Sequence, residues 1–249
     1  MKVGVLGAGS MGIGIAQIAA AHGHEVVLCD NNAPAMERSM KALSNILNRQ
    51  VQKGRMTAEQ VTALLGRIQT TSLMNAFDEC GIVIEAIVEN INAKREVFVK
   101  LEAVTEPACI LATNTSSLSV ASIAAACAQP NRVLGIHFFN PAPLMKLVEI
   151  IPAVQTDAAV VDQARALIDS WQKTTVVAKD TPGFIVNRVA RPFYGEALRI
   201  HDEGIADCAT IDWAMTELAG FRMGPFTLMD YIGNDINYVV TETVFAAFY

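Results

Sequence analysis

Apolar and polar positions fall into blocks along this chain, and the block lengths separate strands from helices. The first block, KVGVL, is too short for a helix and runs into glycines at 7, 9 and 12. A small-residue apolar stretch follows to Ala21, then a second short apolar run that ends at Asp30, which predicts strand, helix, strand. Residues 34–53 change period. Met36, Met40, Leu43, Ile46, Leu47 and Val51 recur at helical spacing with Arg and Lys between them, the pattern of a long helix. Thr57 followed by Gln60 is a capping box for a second, short helix to about Leu65, so this region reads as a helical excursion from the sheet and a candidate lid.

Strand and helix patterns then alternate again. Gly81–Ile87, Cys109–Thr113 and Arg132–Phe138 read as buried strands, with helices at Asn92–Val104 and Leu118–Cys127 between them. Leu147–Ile151 and Thr175–Ala178 read as further strands flanking a helix from near Asp157 to near Trp171. Short apolar runs separated by helices predict a parallel, doubly wound α/β sheet over residues 1–180. Asp180-Thr181-Pro182-Gly183 is a turn cluster, after which the strand pattern ends: Phe184–Ile205, Thr210–Ala219 and Gly233–Phe248 read as helices of a smaller all-α domain, 183–249. Its apolar faces are generous for so short a segment and predict a dimer or domain interface.

Composition narrows the classes. With 249 residues, 52% of them apolar, the chain is expected to be a soluble globular protein with a well-buried core. A net charge of −6 without a basic run argues against a nucleic-acid partner. Val3–Ala21 is uncharged, follows Lys2 and ends in three alanines, as a signal peptide would, yet five glycines crowd into residues 4–14 at turn positions. Gly81–Val88 is interrupted by Glu85, so no membrane span is expected. Cysteines at 29, 80, 109, 127 and 208 form no CxxC pair and have no histidine at ligand spacing. They read as buried thiols in a reducing compartment, cytoplasm or organelle matrix, with no metal site.

The first block carries the first chemistry. Gly7 permits the tight turn after the strand, Gly9 lets the backbone approach a pyrophosphate, and Gly12 lets the helix pack close to the sheet. The helix N-terminus offers unpaired amides and a positive dipole end to the phosphates, and Asp30 can accept hydrogen bonds from an adenosine ribose. Asp30 would repel a 2′-phosphate, and Asn31 and Asn32 supply no arginine to receive one, which favours NAD over NADP.

A proton-transfer group is then required. His137 stands at the C-terminal end of a predicted strand, where open α/β sheets collect ligands; His22, His24 and His201 do not. A satisfied core histidine is the alternative. Glu149 interrupts the apolar LVEII run and, if buried, needs a partner such as an imidazole; facing water at a sheet edge, it would need none. Asn114, Thr115, Ser116 and Ser117 lie between a strand and a helix, either as an ordinary N-cap or as site groups. Asn187, one turn into the helix after PGF, is either a stray exposed amide or a group reaching a substrate oxygen.

GAGSMGIGIA, VIEAIVEN, TNTSSLS, HFFNPAPLMKLVEI, DTPGFIVNRV and MGPFTLMDYIG, in that order over nearly the whole chain, resemble the L-3-hydroxyacyl-CoA dehydrogenase family, including 3-hydroxybutyryl-CoA dehydrogenases. The resemblance implies a Rossmann-like domain followed by a helical dimerisation domain, NAD as cofactor, an acyl-CoA substrate and a homodimer. It implies that His137 is the catalytic base, Glu149 its partner acid, and Ser116 and Asn187 the polar contacts to substrate and nicotinamide. Gly7, Gly9, Ser10, Met11, Gly12, Asp30 and Asn114 would then contact the cofactor, with Glu89 and Lys94 on its nicotinamide side. Lys53 would match a CoA-contacting position on the helical excursion, although solvated helices carry such lysines everywhere. Family members usually continue past the MGPF block, so the stop at Tyr249, inside an apolar helix, is expected to be a fragment boundary. The activity implied is reversible oxidation of an L-3-hydroxyacyl-CoA. A dehydrogenase of free β-hydroxyacids, expected to use a lysine for proton transfer, and a non-catalytic NAD-binding structural protein are the alternatives.

Overall fold

The structure is a computed structural model, described here for residues 1–248. The chain divides into two compact units, Met1–Asp180 and the residues from Thr181 onward. In the first unit the described strands are β1 (Lys2–Leu6), β2 (Glu25–Cys29), β3 (Ile68–Thr71), β4 (Ile82–Glu85), β5 (Ile110–Thr113), β6 (Val133–Phe138), β7 (Leu147–Pro152) and β8 (Thr174–Val177). They form one sheet in the order β3-β2-β1-β4-β5-β6-β7-β8. The central strands are buried on both faces, which is why they read as continuous apolar runs. Their helices are α1 (Ser10–Ala21), α2 (Ala33–Gln52), α3 (Ala58–Gly66), α4 (Ile91–Val104), α5 (Val120–Ala124) and α6 (Ala158–Ser170).

The sheet departs from the expected all-parallel form at one place. β7 runs antiparallel to β6, whereas the other neighbouring strands pair in parallel. Residues 139–146 are too few to carry a chain back across the sheet for a parallel crossover, but enough for a reversal. β3 was absent from the expected elements because only Ile68 of its IQTT is buried, as befits an edge strand. α5 is much shorter than Leu118–Cys127. Its N-terminus begins after the Ser119 cap and is further held by Asp180, which accepts bonds from Ser119 Oγ (3.0 Å) and the Val120 and Ala121 amides (2.9 and 2.7 Å).

The excursion of α2 and α3 is packed rather than free-standing. The predicted capping box is present, and Met36, Leu43, Leu47, Val61 and Leu64 are buried in the same core as β1, β2 and α1. In the second unit α7 (Val186–Asp202), α8 (Cys208–Trp213), α9 (Pro225–Ile232) and α10 (Asn234–Phe248) are helical. α7 begins after Phe184, not at it, since Phe184 takes φ 47° and cannot continue a right-handed helix. The expected helix Thr210–Ala219 is α8 followed by a π-helical turn, Ala214–Leu218, and α9 was not foreseen. α9 starts with Pro225 at its first position, and Asp212 accepts from the Phe226 and Thr227 amides at 2.8 Å each. Among the described residues, no helix is long and apolar enough to cross a membrane.

The glycine turn is sterically specified. A Cβ at Gly12 would overlap the carbonyl oxygen of Gly7, whereas nothing lies within 4 Å of a Cβ built at Gly9. Gly12→Ala is therefore expected to lower stability by about 1–3 kcal/mol. Gly9→Ala, at ordinary φ −67° but at the helix N-cap, should cost less, no more than about 1 kcal/mol. Urea midpoints measure both; equal effects would contradict the packing described.

Candidate active site

The C-terminal ends of β1, β2, β4, β5 and β6 carry the residues singled out above. After β1, Gly7 turns at φ 101° with a Cβ position blocked by Ala86 O, so no side chain is tolerated there. Gly9 caps α1, and the first intrahelical bond runs from Ile13 N–H to Gly9 O at 3.0 Å. The amides of Ser10, Met11 and Gly12 precede it and have no intrahelical acceptor, which makes an anion site of the helix start. Ser10 is exposed and Met11 packs against the core.

Asp30 follows β2. Its Oδ2 accepts from the Ala8 amide (2.7 Å) and its Oδ1 from the Asn32 amide (2.8 Å), so the carboxylate is fixed against the glycine turn. Each oxygen keeps a second lone pair for a ribose hydroxyl. Asp30, Gly9 and the start of α2 border a groove of about 1030 Å³ that continues between α2 and α4. The open space at Gly9, the free helix amides and the anchored Asp30 suit a dinucleotide.

Charge is buried behind the next two strand ends. Glu85 and Lys94 are 0% and 1% exposed, and Lys94 Nζ donates to Glu85 Oε1 at 2.6 Å. Glu85 also accepts from the Ile87 amide and the Thr113 hydroxyl, both at 2.7 Å. On its other side Lys94 pairs with Glu89 Oε2 at 3.3 Å. Glu89 Oε1 in turn accepts from Thr115 Oγ1 (2.5 Å), the Ser116 amide (2.9 Å) and, more loosely, Ser116 Oγ (3.4 Å). A continuous chain thus runs from β5 through Glu85, Lys94 and Glu89 to the serine loop. Burial alone would raise the Glu89 carboxyl, but the Lys94 ammonium and the bonds from Thr115 and Ser116 outweigh it and hold the group below its ordinary 4.5.

The two residues expected on the nicotinamide side differ in exposure. Lys94 lies beneath the surface between two glutamates, so Glu89, whose carboxylate is partly exposed, is the member of the pair presented outward. Asn114 likewise has a structural duty: its Oδ1 accepts from the Phe138 amide at 2.9 Å and ties the ends of β5 and β6 together. Glu85 was noticed in the sequence only as a break in an apolar run. A lone acid in a fully buried strand, with a lysine on the following helix, was the signal for the pair.

The antiparallel register of β6 and β7 sets His137 directly opposite Glu149. Both are buried, and His137 Nδ1 lies 2.7 Å from Glu149 Oε2. An ionised carboxylate has no proton to give, so Nδ1 is the donor of this bond. The Phe139 ring packs at 4.5 Å from the imidazole. Ser116 is half-buried in the loop after β5. Asn187 lies in the first turn of α7, in the second unit, and Lys53 is the exposed residue that ends α2.

One groove residue escaped the sequence reading. Arg38 lines the same groove as Asp30, one turn along α2 from Ala35, so an arginine does stand there although Asn31 and Asn32 supply none. Helical spacing from Ala35 to Arg38, Ser39 and Ala42 would have placed it. Burial pushes the thiols of Cys29, Cys109 and Cys127 up to about 11 and that of Cys80 to about 12. No group of three or more potential metal ligands occurs among the described residues.

With this geometry in view, the comparisons place the chain. Residues 2–181 match the NAD-binding domain of 3-hydroxyacyl-CoA dehydrogenase and residues 183–249 match its C-terminal domain. The chain belongs to the 3-hydroxyacyl-CoA dehydrogenase family, and its first unit is that family's NAD-binding domain. It is 47% identical over 247 residues to the 3-hydroxyadipyl-CoA dehydrogenase of Escherichia coli, covering 99% of this chain and 52% of that protein. It is 42% identical over 234 residues to the 3-hydroxybutyryl-CoA dehydrogenase of Bradyrhizobium diazoefficiens, covering 94% and 80%. The crystal structure of a 3-hydroxybutyryl-CoA dehydrogenase from Escherichia coli superposes with a TM-score of 0.97 at 46% identity, covering all of this chain and 52% of that one. The chain thus spans about half the length of these Escherichia coli relatives.

The Glu89 network has a consequence for acid stability. A carboxyl held low in the folded state contributes stability in full above its unfolded value and loses it as pH falls through the folded one. Between pH 5 and 3, Glu89→Gln should therefore show a shallower fall in melting temperature than the parent. Parallel profiles would mean that Glu89 is not bound as described.

Proposed function

We propose that this chain carries the NAD-dependent, reversible oxidation of an L-3-hydroxyacyl-CoA to the 3-oxoacyl-CoA, with His137 and Glu149 as the proton-transfer pair. The observation that carries this reading is the 2.7 Å contact of a buried imidazole with a buried carboxylate at the C-terminal end of the sheet. Glu149 fixes the tautomer, so that Nε2 accepts the proton of the 3-hydroxyl as the C3–O bond becomes a carbonyl. NAD, when bound, takes the C3 hydrogen with its electron pair. Glu149 then offsets the positive charge on the ring, and in the reverse direction Nε2 returns the proton to the forming alcohol.

The remaining assignments follow the family resemblance. Ser116 and Asn187 hold the substrate oxygens, an orienting role that lowers the barrier by fixing the reacting atoms in line. The α1 N-terminus and Asp30 hold the pyrophosphate and the adenosine ribose, with Glu89 toward the nicotinamide. Lys53 offers a charge to CoA from the turn after α2. A free-acid dehydrogenase with a proton-transferring lysine is less well supported, because a His–Glu pair stands at the end of β6 and Lys94 is buried between two glutamates. The names of the relatives cover 3-hydroxyadipyl-CoA and 3-hydroxybutyryl-CoA, consistent with fatty-acid or related acyl-CoA metabolism. The same reading puts the protein in cytoplasm or an organelle matrix.

A homodimer through the residues after 183 belongs to this proposal. Val189, Leu198, Trp213, Leu218 and Phe245 are each more than two-fifths exposed, an apolar surface that a partner subunit would cover. Analytical ultracentrifugation at micromolar concentration should show a dimer; a monomer with these side chains intact would oppose it.

Oxidation of NADH with acetoacetyl-CoA tests the activity. His137→Gln should keep the fold and cofactor affinity and lower kcat by roughly 10²–10⁴. Glu149→Gln should fall in the same direction, and the double variant should be little worse than His137→Gln alone, as for groups acting as one unit. Near-parental turnover by His137→Gln would remove the mechanism.

A further inference from the structure

The groove beside Asp30 holds a cation that the assignments above leave unused. Ala35, Arg38, Ser39 and Ala42 line it from one face of α2, and Ala93, Glu96, Val97 and Lys100 from α4. Ser39 is engaged, donating to Ala8 O at 2.7 Å. Arg38 has no hydrogen-bond, ion-pair or ring partner among the described residues. The wall around it is mostly aliphatic, with Ile87 and Val88 completing it from the loop after β4.

These features define what fits. Asp30 marks where a ribose hydroxyl binds; its carboxylate is anchored by backbone amides and makes no ion pair with Arg38. A flat, electron-rich ring attached to that ribose would enter the aliphatic slot between α2 and α4. A guanidinium at the slot's wall has a planar face of its own and stacks on such a ring, which an ammonium does far less well. We propose that Arg38 is the adenine-clamping residue of the cofactor groove, lying over the purine face once the dinucleotide is bound. This rests on the reading of the groove as the NAD site. It makes Arg38 a determinant of affinity for the adenosine half and not of the proton or hydride step. It also gives the arginine a duty other than receiving a 2′-phosphate, which Asp30 disfavours.

Titration calorimetry with ADP-ribose, nicotinamide mononucleotide, 5′-ADP and 2′,5′-ADP separates the possibilities. Arg38→Ala should weaken ADP-ribose and 5′-ADP by about five- to thirty-fold, leave nicotinamide mononucleotide unchanged, and melt at the parental temperature because Arg38 is exposed. Arg38→Lys should recover only a minor part of the loss. Unchanged ADP-ribose affinity in Arg38→Ala would overturn the clamp while leaving the cofactor site in place. Full recovery by lysine would overturn stacking in favour of simple charge. A loss larger for 2′,5′-ADP than for 5′-ADP would make Arg38 a phosphate receptor instead. Failure of the parent protein to bind ADP-ribose at all would overturn the reading of the groove itself.

Discussion

A carboxylate on a fully buried strand cannot stay ionised without a partner, and Glu149 on β7 has His137 as that partner. The pairing depends on direction. Only because β7 returns antiparallel beside β6 do positions 137 and 149 face one another across two adjacent backbones. A parallel β7 would need a longer crossover and would set a different register, separating Glu149 from His137, and breaking a buried pair costs several kcal/mol. The reversal in the sheet and the proposed proton-transfer pair are therefore one feature: the short 139–146 loop produces both.

The same physics operates two strands away with different parts. Glu85 ends β4 as Glu149 interrupts β7, but its counter-ion is the lysine of the following helix. Lys94 has charge enough for one glutamate and geometry for two, and it uses the second contact to hold Glu89. Glu89 spends its acceptor oxygen on the amide and hydroxyls of the loop after β5, so Ser116 is located by a buried ion pair that it does not touch. On the proposed mechanism, both groups that approach the substrate from the first unit, His137 and Ser116, are thus positioned by carboxylates, Glu149 within β7 and Glu89 in the loop after β4.

How much of this was legible in the sequence depended on the range of the interaction. The glycine turn, the place of Asp30 at the end of β2, the capping box at Thr57 and the alternation of strands with helices are local patterns, and the structure has them. The partnership of Glu149 with an imidazole was inferable because a buried acid demands a partner. The reversal at β7 was missed although the eight residues after Phe138 are too few for a crossover. β3 differs from expectation because it is a largely exposed edge, and α5 starts later than expected, where Asp180 holds its first turn by a tertiary contact. The second duty of Asn114 arises from Phe138, distant in sequence, whereas Lys94 and Arg38 carry local signals, a buried acid nine residues before the one and helical spacing for the other.

The central claim concerns one proton. The proposed mechanism requires that Nδ1 of His137 carry hydrogen toward Glu149 and that Nε2 hold the lone pair that accepts the substrate proton. Imidazole ¹⁵N NMR on protein labelled at histidine, with His137 assigned by its loss in His137→Gln, reads the tautomer directly. At neutral pH in the absence of substrate, the account predicts a protonated Nδ1 whose resonance is displaced by a strong hydrogen bond that Glu149→Gln weakens, and an unprotonated Nε2. A protonated Nε2 beside a bare Nδ1, unmoved by Glu149→Gln, would contradict it.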